Sequence, residues 1–287
     1  MNVVNDQAEA NTPSLRRAGQ IDLREIAIHL PGKTRFEAVR NISAHIDAGE
    51  FVSIIGPSGC GKSTLLNAIA GYLAPSGGSL RVDGEAVTGP GPDRGMVFQH
   101  NSLFPWKTAL HNVAFGLKMN GVGYRERLAR AEEFLRLVGL TGFSDRYPAQ
   151  LSGGMQQRVE IARALINNPR VVLMDEPFGA LDAQTRERMQ QLLLDIWGRF
   201  KPTVLFVTHD IDEALILSDR VLVMTCRPGQ AREEIDIDLP RPRPENIVVS
   251  PEFIALKKRC LALVRDEARK SLIDGLEADR IQIPVEA

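Results

Sequence analysis

The run Gly56-Pro57-Ser58-Gly59-Cys60-Gly61-Lys62-Ser63-Thr64 sets glycines, a lysine and adjacent hydroxyls in the order GxxxxGK[ST]. Glycines at that spacing let a backbone fold with its N–H groups turned inward around phosphates, and a following helix adds its partial positive end. Lys62 is then placed to reach β- and γ-phosphate oxygens, and the Ser63 hydroxyl to ligate Mg²⁺. Cys60 fills an unconstrained position, where a small residue is tolerated. A second set of acids completes the chemistry. Val171-Val172-Leu173-Met174 is an apolar run that ends in Asp175-Glu176. At the end of a buried strand Asp175 can hold Mg²⁺ through its water shell, and Glu176, one residue on, can orient or deprotonate an attacking water. A further helix start, Leu151-Ser152-Gly153-Gly154-Met155-Gln156, is again preceded by serine and glycines and is a second device for binding an anion.

These groups need elements to hold them. Short β-rich runs alternate with helical patterns from Ile21 onward, which predicts an α/β domain with a largely parallel sheet. Strands are expected at Phe51–Ile55, Gly95–Phe98, Val171–Met174, Thr203–Val207 and Arg220–Met224. The helix after the glycine loop buries Leu65, Leu66 and Ile69 and stops at Gly71. Between the second and third strands lies a mostly helical insert, with helices over Tyr124–Val138 and Met155–Ile166. Asp182–Trp197 and Asp210–Leu217 read as helices between the later strands. After Cys226 a turn, a strand over Glu234–Leu239, a proline-broken stretch and a helix over Phe253–Leu272 are expected. There is no internal repeat or low-complexity tract.

The bulk numbers exclude other classes. Of 287 residues 44% are apolar and 25% charged, enough for a sizeable core, and the net charge of −1 gives no basic field for nucleic acid. Three cysteines without CxxC spacing argue against a disulfide framework or a zinc site and suit a reducing cytoplasm. Residues 1–18 read as a polar tail without the pattern of a signal peptide, and no apolar run approaches the ~18 residues of a membrane helix.

Leu151-Ser152-Gly153-Gly154-Met155-Gln156-Gln157-Arg158 resembles the signature of the ABC ATPases, over roughly residues 20–226. The resemblance implies a P-loop NTPase fold: a RecA-like parallel-sheet core with an antiparallel β subdomain, plus a helical subdomain. It implies an ABC domain over residues 19–226, its core at 19–99 and 159–226, its helical part at 100–158, and a C-terminal extension at 227–287. It implies ATP and Mg²⁺, and a head-to-tail homodimer in which Ser152 and its neighbours serve the partner's ATP. Gln99 looks like a glutamine that contacts Mg²⁺ and the attacking water. Asp182, in Ala180-Leu181-Asp182, looks like a residue of the dimer interface, and His209 looks like the histidine that contacts the γ-phosphate and supports Glu176. The aromatic that stacks on adenine in this family falls here near His29 or Leu30, with Phe36 the closest aromatic.

Asp175-Glu176-Pro177-Phe178-Gly179-Ala180-Leu181-Asp182 resembles bacterial importer ATPases, and GPSGCGKST, LFPW and the CRPG…LPRPR tail resemble the nitrate, sulfonate, taurine and bicarbonate group. The partners so implied are integral-membrane permease subunits and an extracytoplasmic solute-binding protein, the chain lying on the cytoplasmic face of the inner membrane. Asn101-Ser102-Leu103-Phe104-Pro105-Trp106 is then a candidate socket for the permease. The rival within the family is an ATPase acting on nucleic acid or ribosomes. Near-neutral charge, a single cassette, and too few residues between Lys62 and Asp175 for long coiled coils oppose it.

Overall fold

Alternation of buried Ile21, Leu23, Ile26 and Ile28 with more exposed neighbours gives β1 (Ile21–Leu30) one apolar face, and it pairs antiparallel with β2 (Phe36–Ile46). The computed structural model describes residues 18–31 and 36–281, so all but the last residue of the expected tail 1–18 lies outside the described residues. β3 (Phe51–Ile55) is buried throughout and feeds α1 (Lys62–Ala70). β4 (Gly77–Val82) and β5 (Glu85–Ala86) close a four-stranded antiparallel sheet of order β2-β1-β4-β5.

β6 (Arg94–Val97) precedes a helical insert: α2 (Ala109–Val113), α3 (Phe115–Met119), α4 (Tyr124–Leu137) and α5 (Gly153–Leu165). The chain then alternates through β7 (Val171–Asp175), α6 (Ala183–Phe200), β8 (Thr203–Val207), α7 (Ile211–Leu217) and β9 (Arg220–Met224). β10 (Ala231–Asp236) and α8 (Pro251–Ile281) follow. The second sheet runs β10-β9-β3-β8-β7-β6, its inner strands parallel and β10 antiparallel on the edge.

Strands covered on both faces read as unbroken apolar runs, and their alternate residues go to two cores. Val172, Met174, Val204 and Phe206 pack with the helical insert and α6. Val171, Leu173, Leu205 and Val207 pack instead with α1 and the antiparallel sheet. The expected α/β core with an antiparallel layer and a helical insert is therefore what these residues build.

The last segment differs in detail from its sequence pattern. The strand expected over Glu234–Leu239 forms three residues earlier, because β10 takes its register from β9, Ile235 opposite Val221. Ile237 and Leu239 stay buried beyond the strand, and the Ile237 N–H still donates to Asp219 O at 2.8 Å. The helix expected over Phe253–Leu272 is longer at both ends, starting at Pro251, a residue suited to a first turn. Phe253 and Cys260 of α8 share a core with Ala214 and Leu215 of α7 and with Val221 and Val223 of β9. Arg243 fastens this region: its guanidinium donates to the carbonyls of Leu215, Ile216 and Ser218 at 2.7–3.0 Å and of Ile237 and Leu239 at 3.3–3.4 Å. Among the described residues no helix is long and apolar enough to cross a membrane.

Candidate functional site

β3 delivers the chain to Gly56, and the loop turns through Gly59 into α1. Gly61, the residue before that helix, has φ 92°, and a Cβ there would stand 2.7 Å from Ala38 O, so both conformation and space demand glycine. Cys60 is 1% exposed beneath the loop, and burial pushes its thiol up to about 11. The Lys62 ammonium lies across the loop, donating to Gly56 O at 2.9 Å and Pro57 O at 3.0 Å. A cation held there by two carbonyls and 6% exposed is poised for oxygens of an anion entering the loop. The loop's helix is tied to β7, since Ser63 Oγ donates to Asp175 Oδ1 at 2.9 Å. Burial pushes the Asp175 carboxyl up; the Ser63 bond and nearby Lys62 act the other way, and neighbouring Glu176 adds to the rise.

Glu176 leaves the end of β7 with φ 44°, a left-handed conformation that costs a non-glycine residue of order 1–3 kcal/mol. Its N–H donates to Val207 O at 2.9 Å, and the turn re-aims its side chain away from that of Asp175. Gln99 Nε2 stands 3.4 Å from Glu176 Oε2, and His209 Nδ1 is 3.0 Å from the same oxygen. Three residues far apart in the chain thus meet at one carboxylate oxygen. Behind His209, Thr208 Oγ1 donates to buried Glu213, which also accepts from Gln190 of α6 at 3.0 Å.

Ser152 precedes α5, and its Oγ accepts from Met155 N–H at 3.3 Å. A Cβ on Gly153 would meet nothing within 4 Å, so the backbone of this helix end lies open. One on Gly154 would stand 2.7 Å from Thr185 Cγ2 of α6. Gln156 Nε2 reaches back to Pro148 O and Leu151 O at 2.7 and 3.1 Å. Asp182 caps α6 by accepting from Thr185 N–H at 3.0 Å, which holds its carboxyl below the usual range. Arg186 spans from Leu181 O, 3.0 Å, to Asp210 Oδ2, 3.3 Å.

The structure therefore joins Lys62, Ser63 and Asp175 with Glu176, Gln99 and His209 through the Ser63–Asp175 bond, the adjacency of Asp175 and Glu176, and the two contacts on Glu176 Oε2. Among the described residues, Leu151–Gln156 share no hydrogen bond with Gly56–Thr64. Ser63, Asp175 and Gln99 offer a hydroxyl, a carboxylate and an amide, hard oxygens of the kind that suit Mg²⁺, with Ser63 and Asp175 already within bonding distance of each other. Leu30 and Phe36 are partners in the β1–β2 register, and Phe36 is 48% exposed. His29 Nδ1 is buried without a partner.

Sequence reasoning named Ser102 only as part of the candidate socket and passed over Glu160 and Arg163, which link α5 to it, and over Thr208, Gln190 and Glu213. Glu160 did leave a signal, a charge set between the fully buried Val159 and Ile161.

Residues 39–179 match the family model described as ABC transporter. The chain is 53% identical over 238 residues to an uncharacterized ABC transporter ATP-binding protein of Methanocaldococcus jannaschii, spanning 83% of this chain and 88% of the relative. It is 52% identical over 234 residues to a nitrate import ATP-binding protein of Synechocystis sp., spanning 79% and 88%. With a taurine import ATP-binding protein of Rhizobium johnstonii the identity is 53% over 232 residues, again 79% and 88%. Among solved structures, a dimeric ATP-binding cassette in a post-hydrolysis state with ADP and Pi superposes with a TM-score of 0.68 at 37% identity, covering 77% of this chain and all of that one.

Proposed function

Since the chain belongs to the ABC transporter family of ATP-binding proteins, we propose that it hydrolyses ATP to drive import of a small anionic solute, of the nitrate, sulfonate or taurine kind. The observation that carries this reading is the meeting of Gln99 and His209 on Glu176 Oε2, beside the loop that holds Lys62. The functional unit is residues 19–226, with a core at 19–99 and 159–226 and a helical part at 100–158; residues 227–287 extend it.

Backbone N–H groups of Gly56–Thr64 cradle the phosphates, and Lys62 moves its donors from Gly56 O and Pro57 O to β- and γ-oxygens. Ser63, Gln99 and, through water, Asp175 would hold Mg²⁺, which would supply charge neutralisation at the phosphates. Glu176 orients the water that attacks the γ-phosphorus and takes up its proton, the bond from phosphorus to the β–γ bridging oxygen breaks and ADP leaves, and His209 holds the carboxylate and donates to the γ-phosphate. The base rests on Leu30 and Phe36, an apolar contact in place of a stacked pair at the usual position.

Two copies close head to tail, so that the open α5 end at Ser152, Gly153 and Gly154 of one meets the nucleotide in the loop of the other, with Asp182 at the seam. Closure moves the permease, which docks by the surface around Phe104 and Trp106; Trp106 is 70% exposed. A solute-binding protein on the far side delivers the solute, and the chain sits on the cytoplasmic face of the inner membrane.

A Glu176→Gln chain at saturating MgATP tests this. It should bind ATP, turn over at least about a hundredfold more slowly, and elute as a dimer in light-scattering chromatography. A variant that hydrolyses at the parent rate defeats the assignment of Glu176. One that stays monomeric, alone and with its permease, defeats the head-to-tail mechanism.

A further inference from the structure

The loop that follows Gln99 is gripped by one face of α5. Gln156, Glu160 and Arg163 stand at i, i+4 and i+7 of that helix, a single stripe. Gln156 Oε1 accepts from the Asn101 side-chain amide. Glu160 Oε1 accepts from the Ser102 backbone N–H and from the Ser102 hydroxyl, the latter at 2.9 Å. Arg163 Nη1 donates to Ser102 O at 2.9 Å. Both main-chain polar groups of one residue are thus taken by side chains of the same helix.

Glu160 is 1% exposed, and its second oxygen is buried without a partner. A buried carboxylate with an idle oxygen costs stability, and an apolar side chain of the same size would fill the space without that cost. What an apolar residue could not do is hold Ser102 or pair with Arg163, whose Nη2 stands 3.5 Å from Glu160 Oε1. The helix so attached begins at Ser152, and the loop so attached runs from Gln99, at Glu176, to Phe104 and Trp106.

We propose that Glu160 is a positioning residue: by fixing Ser102 to α5 it makes the helix end at Ser152 follow the loop that starts at Gln99. The Gln99 end of that loop, the helix end and the Phe104–Trp106 surface then move as one piece. Arg163 holds the carbonyl of the same residue and also donates to its hydroxyl, so only the Ser102 N–H is controlled by Glu160 alone. The proposal rests on the ATPase reading above.

The experiment uses the full chain, with steady-state ATPase and binding of a fluorescent ATP analogue measured side by side on the parent and two variants. Glu160→Asp withdraws the carboxylate by one methylene and should lower kcat about ten- to a hundredfold, the cost of misplacing a group by about 1 Å. The Kd for the analogue should stay within about twofold, because the phosphate loop lies on other elements. Glu160→Gln keeps an acceptor oxygen for Ser102 and should restore kcat to within about twofold of the parent. A role confined to stability would instead move kcat, Kd and Tm together. An Asp variant at the parent kcat, parallel loss of kcat and affinity, or a Gln variant as slow as the Asp one overturns the proposal. A parent chain that hydrolyses no ATP defeats the ATPase reading and this inference with it, whereas an active parent beside an active Asp variant defeats only the role of Glu160.

Discussion

Ser63 Oγ donates to Asp175 Oδ1 at 2.9 Å, joining the first turn of α1 to the last residue of β7 across 112 positions of sequence. That bond sets the distance between the loop that holds the phosphates and the strand end from which Glu176 departs. Because Ser63 and Lys62 are consecutive on α1, the cation and the two acids are placed by one junction of helix and strand.

Lys62→Ala should weaken ATP binding by about a hundredfold, the loss of one or two charge-assisted hydrogen bonds of roughly 1.5–3 kcal/mol each. Calorimetric titration with MgATP checks it. An unchanged affinity would mean that the ammonium stays on Gly56 O and Pro57 O when nucleotide is bound.

His209→Ala should slow turnover about 10²–10³-fold with nucleotide affinity kept within about threefold. The sharper measurement is the combination with Glu176→Gln. Residues that act as a unit lose little on the second removal, so the double variant should be no slower than Glu176→Gln alone. Multiplicative losses would separate the two residues despite the 3.0 Å contact.

Trp106→Ala should reduce co-purification with the permease and the ATPase stimulation the permease confers, while Tm moves by no more than about 2 °C, as expected of a side chain 70% exposed. Undiminished stimulation would take the docking surface elsewhere.

Stability should fall between about pH 9 and 11. Cys60 and Cys260 are buried, and burial raises each thiol from 9.0 to about 11. Above pH 9 the unfolded chain therefore releases protons that the folded chain keeps, so the unfolded state is favoured as pH rises, by about 2–3 kcal/mol per thiol at the upper end. Urea unfolding across this range under reductant measures the slope, and Cys260→Ala should reduce it. Arg243, which burial lowers to about 10, acts with the opposite sign in this window, so it is a slope left unchanged by Cys260→Ala that would contradict the burial of that thiol.

Much of this was legible in the sequence because the signals are local. GPSGCGKS between an apolar run and a helical one, an apolar strand ending in Asp175-Glu176, and Ser152 before two glycines each specify their own backbone. The resemblance added Gln99, His209 and Asp182. What the residues by themselves could not show depends on approach in space, and only the resemblance paired His209 with Glu176. Gln99 and Glu176 are 77 residues apart, and His209 and Glu176 are 33 apart, so their meeting follows from the order β3-β8-β7-β6 and from nothing adjacent in the chain. The left-handed φ of Glu176 is invisible for the same reason, since no glycine or asparagine marks it. The register of β10 was missed because Ile235, Ile237 and Leu239 alternate past the end of the strand, and burial alone does not show where pairing stops.

The guanidinium of Arg243 binds carbonyls from two stretches of chain that would otherwise end in the interior with their lone pairs idle. Chain shortened to stop near Cys226 would uncover the α7 terminus and the flank of β9 at one stroke, leaving a sticky, unpaired rim where β10 had lain. The tail is in that sense a hem sewn by one stitch, and a fragment trimmed to the motifs should precipitate even though every group that handles nucleotide is still aboard.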